Sequence, residues 1–158
     1  LLKWFAPILS FTTEEIFRIL NKDKNSSIHL ETFPTIPSQW RNEKLFQKWY
    51  KLKIVRNVAN AAIEVKRSSK EIGSSLEADI TVYLGEEYLK HSKDVNLSEY
   101  IITSKAEAKP MINDNKLFKL DDVENVKVLV KKAKGEKCSR CWKILENPCE
   151  RKNCGLKN

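Results

Sequence analysis

Apolar residues recur at helical intervals in the first half of the chain. Between residues 43 and 72 they are spaced three or four positions apart, which is the spacing of one helix face: Leu45, Trp49, Leu52, Val55, Ala59 and Ala62. Lysine and arginine occupy many of the other positions, and Gly73 follows as a helix stop signal. The pattern therefore predicts one long amphipathic helix over residues 43–72.

The residues before this helix predict two shorter helices and an extended connection. Residues 2–9 fit the last turns of an apolar helix that Pro7 disturbs. In FTTEEIF, Thr12 and Glu15 have the spacing of a capping box, so a second helix is predicted to begin just after this threonine. The stretch SIHLETFPTIPSQW contains prolines at positions unfavourable to a helix and is predicted to be extended. Residues 1–72 are therefore predicted to form a helical domain.

The apolar period changes from helical to alternating after Gly73. In ADITVYL, Ile80, Val82 and Leu84 fall on one face, which is the pattern of a β-strand. GEEYLKHSK is predicted to form a short helix, and EYIITS, KLFKL and VKVLV are predicted to form further strands. Residues 73–134 are therefore predicted to form a small α+β domain.

The last block, residues 135–158, contains few sizeable apolar side chains. A segment this short cannot bury enough apolar surface to fold by itself, and it commonly needs a metal ion or disulfides. All four cysteines of the chain lie here: Cys138, Cys141, Cys149 and Cys154. The chain is thus predicted to be an α+β protein in three parts, with a helical bundle portion, a small mixed α/β unit and a cysteine-containing terminal module.

The cysteine spacing is Cys-x2-Cys, seven residues, then Cys-x4-Cys. The first pair can place two thiolates on one edge of a tetrahedron, and the second pair can complete the site. Four sulfur ligands without a nearby carboxylate favour zinc over calcium or magnesium. The spacing therefore predicts one structural Zn²⁺ site, with two disulfides, a redox pair and an iron–sulfur cluster as the alternatives.

The formal charge of +8 is distributed unevenly. Residues 40–72 carry +6 and residues 127–158 carry +7, whereas residues 73–126 carry −5. Because lysine and arginine neutralise phosphates, two basic blocks indicate two surfaces for one polyanion, and the alternative is the solvated surface of a lysine-rich protein. The candidate nucleic-acid-binding cations are Lys48, Arg56 and Arg67 in the long helix, and Lys137, Arg140, Lys143, Arg151 and Lys152 around the cysteines.

Trp142 follows the second cysteine directly and has two interpretations. It can stack on an unpaired base while Arg140 and Lys143 contact phosphates, or it can form a lid packed over the metal site. Trp142→Ala would separate them, because loss of the terminal fold without loss of binding would indicate the lid.

Four stretches resemble the C-terminal part of bacterial-type isoleucyl-tRNA synthetases, which are class I aminoacyl-tRNA synthetases. FAPILSFTTEEIF resembles a helix pair of the anticodon-binding bundle, and SSIHLETFP resembles the loop after it. VRNVANAAIEVKRSSKEIGSSLEADITVYL resembles the long helix with its turn into a strand, and KAKGEKCSRCWKI resembles the start of the zinc module. The last two stretches are the more specific, and the resemblance spans essentially the whole chain.

The resemblance implies a tRNA-binding portion of a longer cytoplasmic ligase, expected to be a monomer without a membrane partner. ATP, isoleucine and editing would belong to upstream domains, since no HIGH-like or KMSKS-like motif occurs here. His29 and His91 lie far apart without an obvious nucleophile, so no catalytic residue is predicted. The helical bundle and the zinc module are expected to hold the anticodon stem and loop of isoleucine tRNA.

Two features keep other interpretations open. The second ligand pair of the family is usually Cys-x2-Cys, so the wider spacing of Cys149 and Cys154 leaves the identity of the fourth ligand open. A similar zinc module occurs in a class of bacterial DNA glycosylases, although the upstream helices and the IGSSLEADI turn match the synthetases instead. A DNA-binding repair module and a purely structural zinc clamp are therefore the alternative functions.

Overall fold

The computed structural model describes residues 1–21, 25–147 and 149. The chain divides into two compact units, Leu1–Asn42 and Glu43–Asn158. The long helix belongs to the second unit, because it packs on the sheet that follows it. The division into 1–72, 73–134 and 135–158 stays a prediction, whereas the predicted α+β class is confirmed.

The first unit is helical. It contains α1 (Leu2–Phe5), α2 (Ser10–Leu20) and two 3₁₀ turns, Ile28–Leu30 and Ser38–Trp40. Its small core consists of Ala6, Phe17 and Ile28, with Leu2 packed against them.

Glu14 ties the first 3₁₀ turn of this unit to α2. Its carboxylate accepts hydrogen bonds from Ser27 Oγ at 2.8 Å and from the Ile28 backbone N–H at 3.0 Å. The neighbouring Arg18, which donates to the same carboxylate, is the largest cause that lowers the pKa of Glu14 below its ordinary value.

The start of α2 differs from the predicted capping box. The helix begins at Ser10, and its N-cap residue Leu9 makes no side-chain cap hydrogen bond. Thr12 therefore lies inside the helix, and the neighbouring Thr13 hydroxyl donates to the Leu9 carbonyl at 2.9 Å. The capping-box prediction is wrong because α2 is already helical before the threonine pair is reached.

The second unit begins with α3 (Glu43–Ser68), which ends four residues before the predicted boundary. Its buried face is formed by Leu52, Val55, Val58, Ala59, Ala62 and Ile63. Leu45 and Trp49 continue the predicted apolar stripe but are 49% and 42% exposed, so the stripe is buried only from Leu52, in the third turn of the helix, onward.

A three-stranded sheet covers this helix, in the order β2-β1-β3. The central strand β1 (Ala78–Leu84) is parallel to β2 (Lys105–Pro110) and antiparallel to β3 (Val126–Lys132). Helices α4 (Glu86–Ser92) and α5 (Leu97–Ile101) connect β1 to β2. The helices α3, α4 and α5 all pack against the sheet, and the core includes Ile80, Val82 and Leu84 of β1, as the alternation predicted.

Two strand predictions in this unit are wrong. The first half of EYIITS lies in α5, where the Asn96 side chain accepts from the Glu99 N–H as an N-cap and Leu97 and Ile101 are buried. In KLFKL, only an isolated bridge between Phe118 and Val128 forms. The strand β2, with the sequence KAEAKP, is not predicted by the pattern at all. No helix in the described part of the chain is long and apolar enough to cross a bilayer.

Candidate metal centre and nucleic-acid interface

The Cys-x2-Cys motif lies in a short hairpin. Strands β4 (Glu136–Lys137) and β5 (Ile144–Leu145) pair antiparallel on either side of it. The Cys138 N–H donates to the Lys143 carbonyl at 2.9 Å, and the Trp142 N–H donates to the Cys138 carbonyl at 2.9 Å. These bonds close a tight turn that carries both cysteines of the motif.

Gly135 permits the hairpin to close against β5. Its φ is +117°, and a Cβ atom at this position would lie 2.1 Å from the Leu145 carbonyl oxygen. Only glycine tolerates both the positive φ and this close approach. The glycine before the first cysteine is therefore a structural requirement of the turn.

Three cysteines converge at the end of the hairpin. Cys138, Cys141 and Cys149 have sulfur atoms that all lie within 4.8 Å of one another. The sulfurs of Cys141 and Cys149 are 3.9 Å apart. This separation is far longer than a disulfide bond of about 2.05 Å.

The separation fits joint ligation of one metal ion. With metal–sulfur bonds of about 2.3 Å, the edge of a tetrahedral zinc–thiolate site is about 3.8 Å. Three half-buried thiols at this spacing could therefore hold a metal ion, as the sequence predicted for these three. The fourth predicted ligand, Cys154, lies outside the described residues, as do Arg151 and Lys152.

Ser104 anchors the hairpin to the sheet. Its hydroxyl accepts from the Ile144 N–H at 2.6 Å and donates to the Leu76 carbonyl at 2.5 Å. Ser104 is 8% exposed, so these bonds form in a largely dry environment. The hairpin is thus fixed to the turn that precedes β1.

Lys143 anchors the hairpin to α5. It is 8% exposed, and its Nζ lies 2.5 Å from Glu99 Oε1 and 3.4 Å from Ser98 Oγ. This placement does not fit the predicted contact of Lys143 with phosphate, because the ammonium is enclosed and paired inside the unit. Sequence reasoning missed Glu99 and Ser104, since nothing in a single sequence pairs them with a residue forty positions away.

The outer surface of the hairpin carries three of the predicted nucleic-acid contacts, Lys137, Arg140 and Trp142. Trp142 is 61% exposed and has a positive φ of 63°. The Lys137 Nζ lies 5.9 Å from the centre of the indole ring, within the range of a cation–π contact. Arg140 is also exposed. The structure therefore brings together one accessible aromatic ring and two cations.

The predicted cations of α3 have different surroundings. Lys48 is ion-paired with Asp94 at 2.5 Å, and its ammonium is the main cause that lowers the pKa of this carboxyl group. Arg67 is paired with Glu64 one turn earlier. Arg56 lies half-buried with its guanidinium 5.3 Å from the ring centre of Tyr100.

The buried Arg56 Nε has no hydrogen-bond partner among the described residues. Arg56 thus contributes packing on an aromatic ring as well as charge. None of these contacts joins Lys48, Arg56 or Arg67 to the residues of the hairpin.

Comparison with known families identifies the long helix and the residues before it. Residues 1–84 match the family described as "Anticodon-binding domain of tRNA ligase". The chain belongs to this family. The match includes the whole first unit, α3 and all of β1.

Curated relatives give the same result over nearly the whole chain. The isoleucine–tRNA ligase of Pelagibacter ubique is 46% identical over 96% of this chain. Those of Rhodopseudomonas palustris and Bradyrhizobium diazoefficiens are 39% and 42% identical over 93% and 91% of it. The chain spans only 14–16% of the length of these enzymes. The resemblance seen in the sequence is therefore confirmed.

Proposed function

We propose that the chain binds tRNA at the anticodon stem and loop, as one part of an isoleucine–tRNA ligase. The match of residues 1–84 to the anticodon-binding family carries this proposal. Activation of isoleucine with ATP, its transfer to tRNA and editing would be performed by other parts of a longer cytoplasmic protein. The chain itself would act as a non-catalytic, monomeric RNA-binding portion.

The metal in this proposal is zinc, with a structural role. Thiolates of Cys138, Cys141 and Cys149 would hold it, with Cys154 as the proposed fourth ligand. Zinc bound to thiolates supplies folding free energy to small modules rather than reactivity. Here it would hold the turn that presents Trp142 on the surface.

The exposed part of the hairpin would contact the RNA. Trp142 offers a ring face on which an unpaired base can stack, and its 61% exposure supports this over a lid on the metal. Lys137 and Arg140 would contact phosphates, joined by Arg151 and Lys152. Lys143 is omitted because its ammonium is paired with Glu99.

The long helix would supply the second surface through Lys48, Arg56 and Arg67. These side chains already have partners in the free chain, so binding would require Lys48 and Arg67 to exchange an exposed carboxylate for phosphate. Exposed ion pairs are weak, about 0–1 kcal/mol, and such an exchange costs little.

Binding of the zinc-loaded chain to isoleucine tRNA, to an unrelated tRNA and to duplex DNA tests the proposal. We expect salt-dependent binding that is tightest for isoleucine tRNA, because loop bases are read in addition to phosphates. Equal binding to all tRNAs would contradict recognition of the anticodon. Preference for duplex DNA would instead support a repair-type DNA module.

The structural-clamp alternative predicts a different result from charge removal. If the zinc hairpin only stabilises the fold, Arg140→Glu leaves tRNA affinity unchanged. If it contacts RNA, Arg140→Glu weakens binding whereas Lys90→Glu, at an exposed position of α4, has little effect. Arg140 is a better choice than Arg56 for this test, because Arg56 also packs on Tyr100.

A further inference from the structure

In the second unit, the sheet has one face that none of the described helices covers. Its other face, which includes Ile80, Val82 and Leu84, is buried under the three helices. The strand register places nine side chains together on the uncovered face, all of them half-buried or exposed: Asp79, Thr81 and Tyr83 of β1; Lys105, Glu107 and Lys109 of β2; and Lys127, Leu129 and Lys131 of β3. We call these nine residues the open sheet face.

The open sheet face is basic although it belongs largely to the acidic block of the sequence. Four lysines lie on it against two carboxylates. One of these carboxylates, Glu107, is already ion-paired within the face. Lys109 Nζ lies 2.7 Å from it, and the Thr81 hydroxyl donates to it at 3.3 Å. The pKa of Glu107 is lowered, chiefly by the hydrogen bond from Lys109. Most of the acidic residues of 73–126 lie elsewhere in the fold.

An aromatic ring lies at one end of this face, opposite the end that carries Asp79. Tyr83 is on the central strand, and its register partners are Lys109 on β2 and Lys127 on β3. A ring flanked by cations on both sides suits an unpaired nucleotide, since the base can stack on the ring while lysines contact the adjacent phosphates.

The open sheet face continues toward the hairpin formed by β4 and β5. At the end where Asp79 lies between Lys105 and Lys131, a cleft of about 390 Å³ separates the sheet from β5. Lys134, Glu146 and Asn147 also line this cleft. Its volume falls in the range of small-ligand sites, about 300–1,000 Å³, so it has room for a nucleotide. The sheet, the cleft and the hairpin belong to one compact unit.

We propose that the open sheet face binds a single-stranded stretch of RNA, with Tyr83 as a stacking platform and the lysines on the phosphates. This inference rests on the proposed function and deepens it, because it assigns to the sheet unpaired nucleotides of the same tRNA. The nine residues of the open sheet face are distinct from Trp142, Lys137 and Arg140 of the hairpin and from the cations of α3. Charge complementarity and the flanked aromatic ring select RNA as the occupant over an apolar protein segment.

The test uses the zinc-loaded chain and a fluorescent RNA hairpin that carries the anticodon stem and loop of isoleucine tRNA. We expect Tyr83→Ala to weaken binding about 5- to 150-fold, because one stacked base loses its platform. Tyr83→Phe keeps the ring and restores binding. A fully paired duplex of the same stem binds both variants equally, because it offers no unpaired base to the ring.

A second pair of variants tests the lysines without touching the ring. Lys105→Gln with Lys131→Gln removes two exposed charges from the open sheet face, and lowers the slope of log affinity against log salt by about 1.4. Lys90→Gln with Lys93→Gln removes two exposed charges from the helical side and leaves the slope nearly unchanged. Thermal melting of the two Tyr83 variants and of the two lysine double variants confirms that all four fold.

Three results would overturn the inference, and they are distinguishable from failure of the proposed function. If Arg140→Glu weakens binding of the hairpin RNA but the two sheet variants do not, only the role of the open sheet face is wrong. If Lys90→Gln with Lys93→Gln lowers the salt slope as much as Lys105→Gln with Lys131→Gln does, the effect comes from net charge and not from the open sheet face. If the unmodified chain does not bind the RNA hairpin, the proposed function and this inference both fail.

Discussion

At the scale of single residues, Lys143 has surroundings that its position next to Trp142 does not suggest. The tryptophan is 61% exposed, whereas the lysine is 8% exposed and paired with Glu99. In the turn that carries the cysteines, neighbouring side chains thus point to solvent and to the unit interior in succession. Composition alone cannot distinguish a lysine that meets phosphate from one that fastens the turn to α5.

The pairing of Lys143 predicts an asymmetric response to substitution. Glu99→Gln leaves a buried ammonium without its counter-charge and is expected to lower the free energy of unfolding by about 1–3 kcal/mol. Lys143→Met removes the buried charge and leaves the exposed Glu99 solvated, and is expected to cost less than about 1 kcal/mol. Chemical denaturation of the metal-loaded chain measures both.

Glu136→Gln is the matched control, because this exposed carboxylate lies on β4 of the same hairpin. It should be nearly neutral. A larger loss of stability from Lys143→Met than from Glu99→Gln would contradict the proposed energetics of the pair.

At the scale of elements, the strongest periodic patterns were predicted correctly. Burial and period agree along the whole strand at residues 78–84, and in the long helix they agree from Leu52 onward. The strand KAEAKP could not be predicted, because alanine, glutamate and lysine favour helices in isolation. It is extended only because it pairs with β1 along its whole length.

The segment EYIITS shows the opposite case. Its β-branched residues favour a strand, yet the Asn96 cap and the left-handed conformation of Ile102 delimit a short helix. Local hydrogen bonding and the burial of Leu97 and Ile101 override propensity here. For the cysteine cluster, the spacing was sufficient to predict that three thiols lie together, but the anchors Ser104 and Glu99 depend on tertiary structure.

Metal removal is expected to unfold the cysteine hairpin and to leave strand β3 folded. A strong chelator is expected to release one zinc ion per chain and to expose the Cys138 and Ile144 amides to hydrogen exchange, because the turn has little apolar burial of its own. The Val128 amide, in the middle of β3, should stay protected. Exchange measured by NMR or mass spectrometry, with metal analysis, checks this.

A metal-free chain with thiols joined in disulfides would contradict the zinc proposal. If the Val128 amide loses its protection from hydrogen exchange together with the Cys138 and Ile144 amides, the metal supports the whole second unit. Alkylation of the chelated chain provides the control, since all four thiols should then react.

At the scale of the whole molecule, net charge is a poor guide to where polyanions bind. Residues 73–126 carry −5, yet the register collects lysines on one face of the sheet that this segment largely builds. Blocks of sequence charge therefore predicted a basic hairpin and a basic helix but not the open sheet face. The folded arrangement, not the sum, determines where a phosphate backbone can lie.

The salt dependence of tRNA binding should separate surface cations from structural ones. Arg140→Gln removes one phosphate contact and is expected to lower the slope of log affinity against log salt by about 0.7–0.9. Lys143→Met removes the same charge from the interior and should leave the slope unchanged. Titration by fluorescence anisotropy over a series of salt concentrations provides both slopes, and equal slopes for the two variants would contradict the assignment.

The topology of the sheet has a consequence for how the chain is made. The central strand β1 pairs with one neighbour that is translated later and with another that is translated later still. During that interval on the ribosome its apolar side chains lack sheet partners, and nascent strands in this state are prone to aggregate. The long helix is already synthesised and packs against the same side chains in the finished fold. Because α3 precedes the sheet in the sequence, it is available to cover the apolar side chains of β1 before β2 and β3 are synthesised.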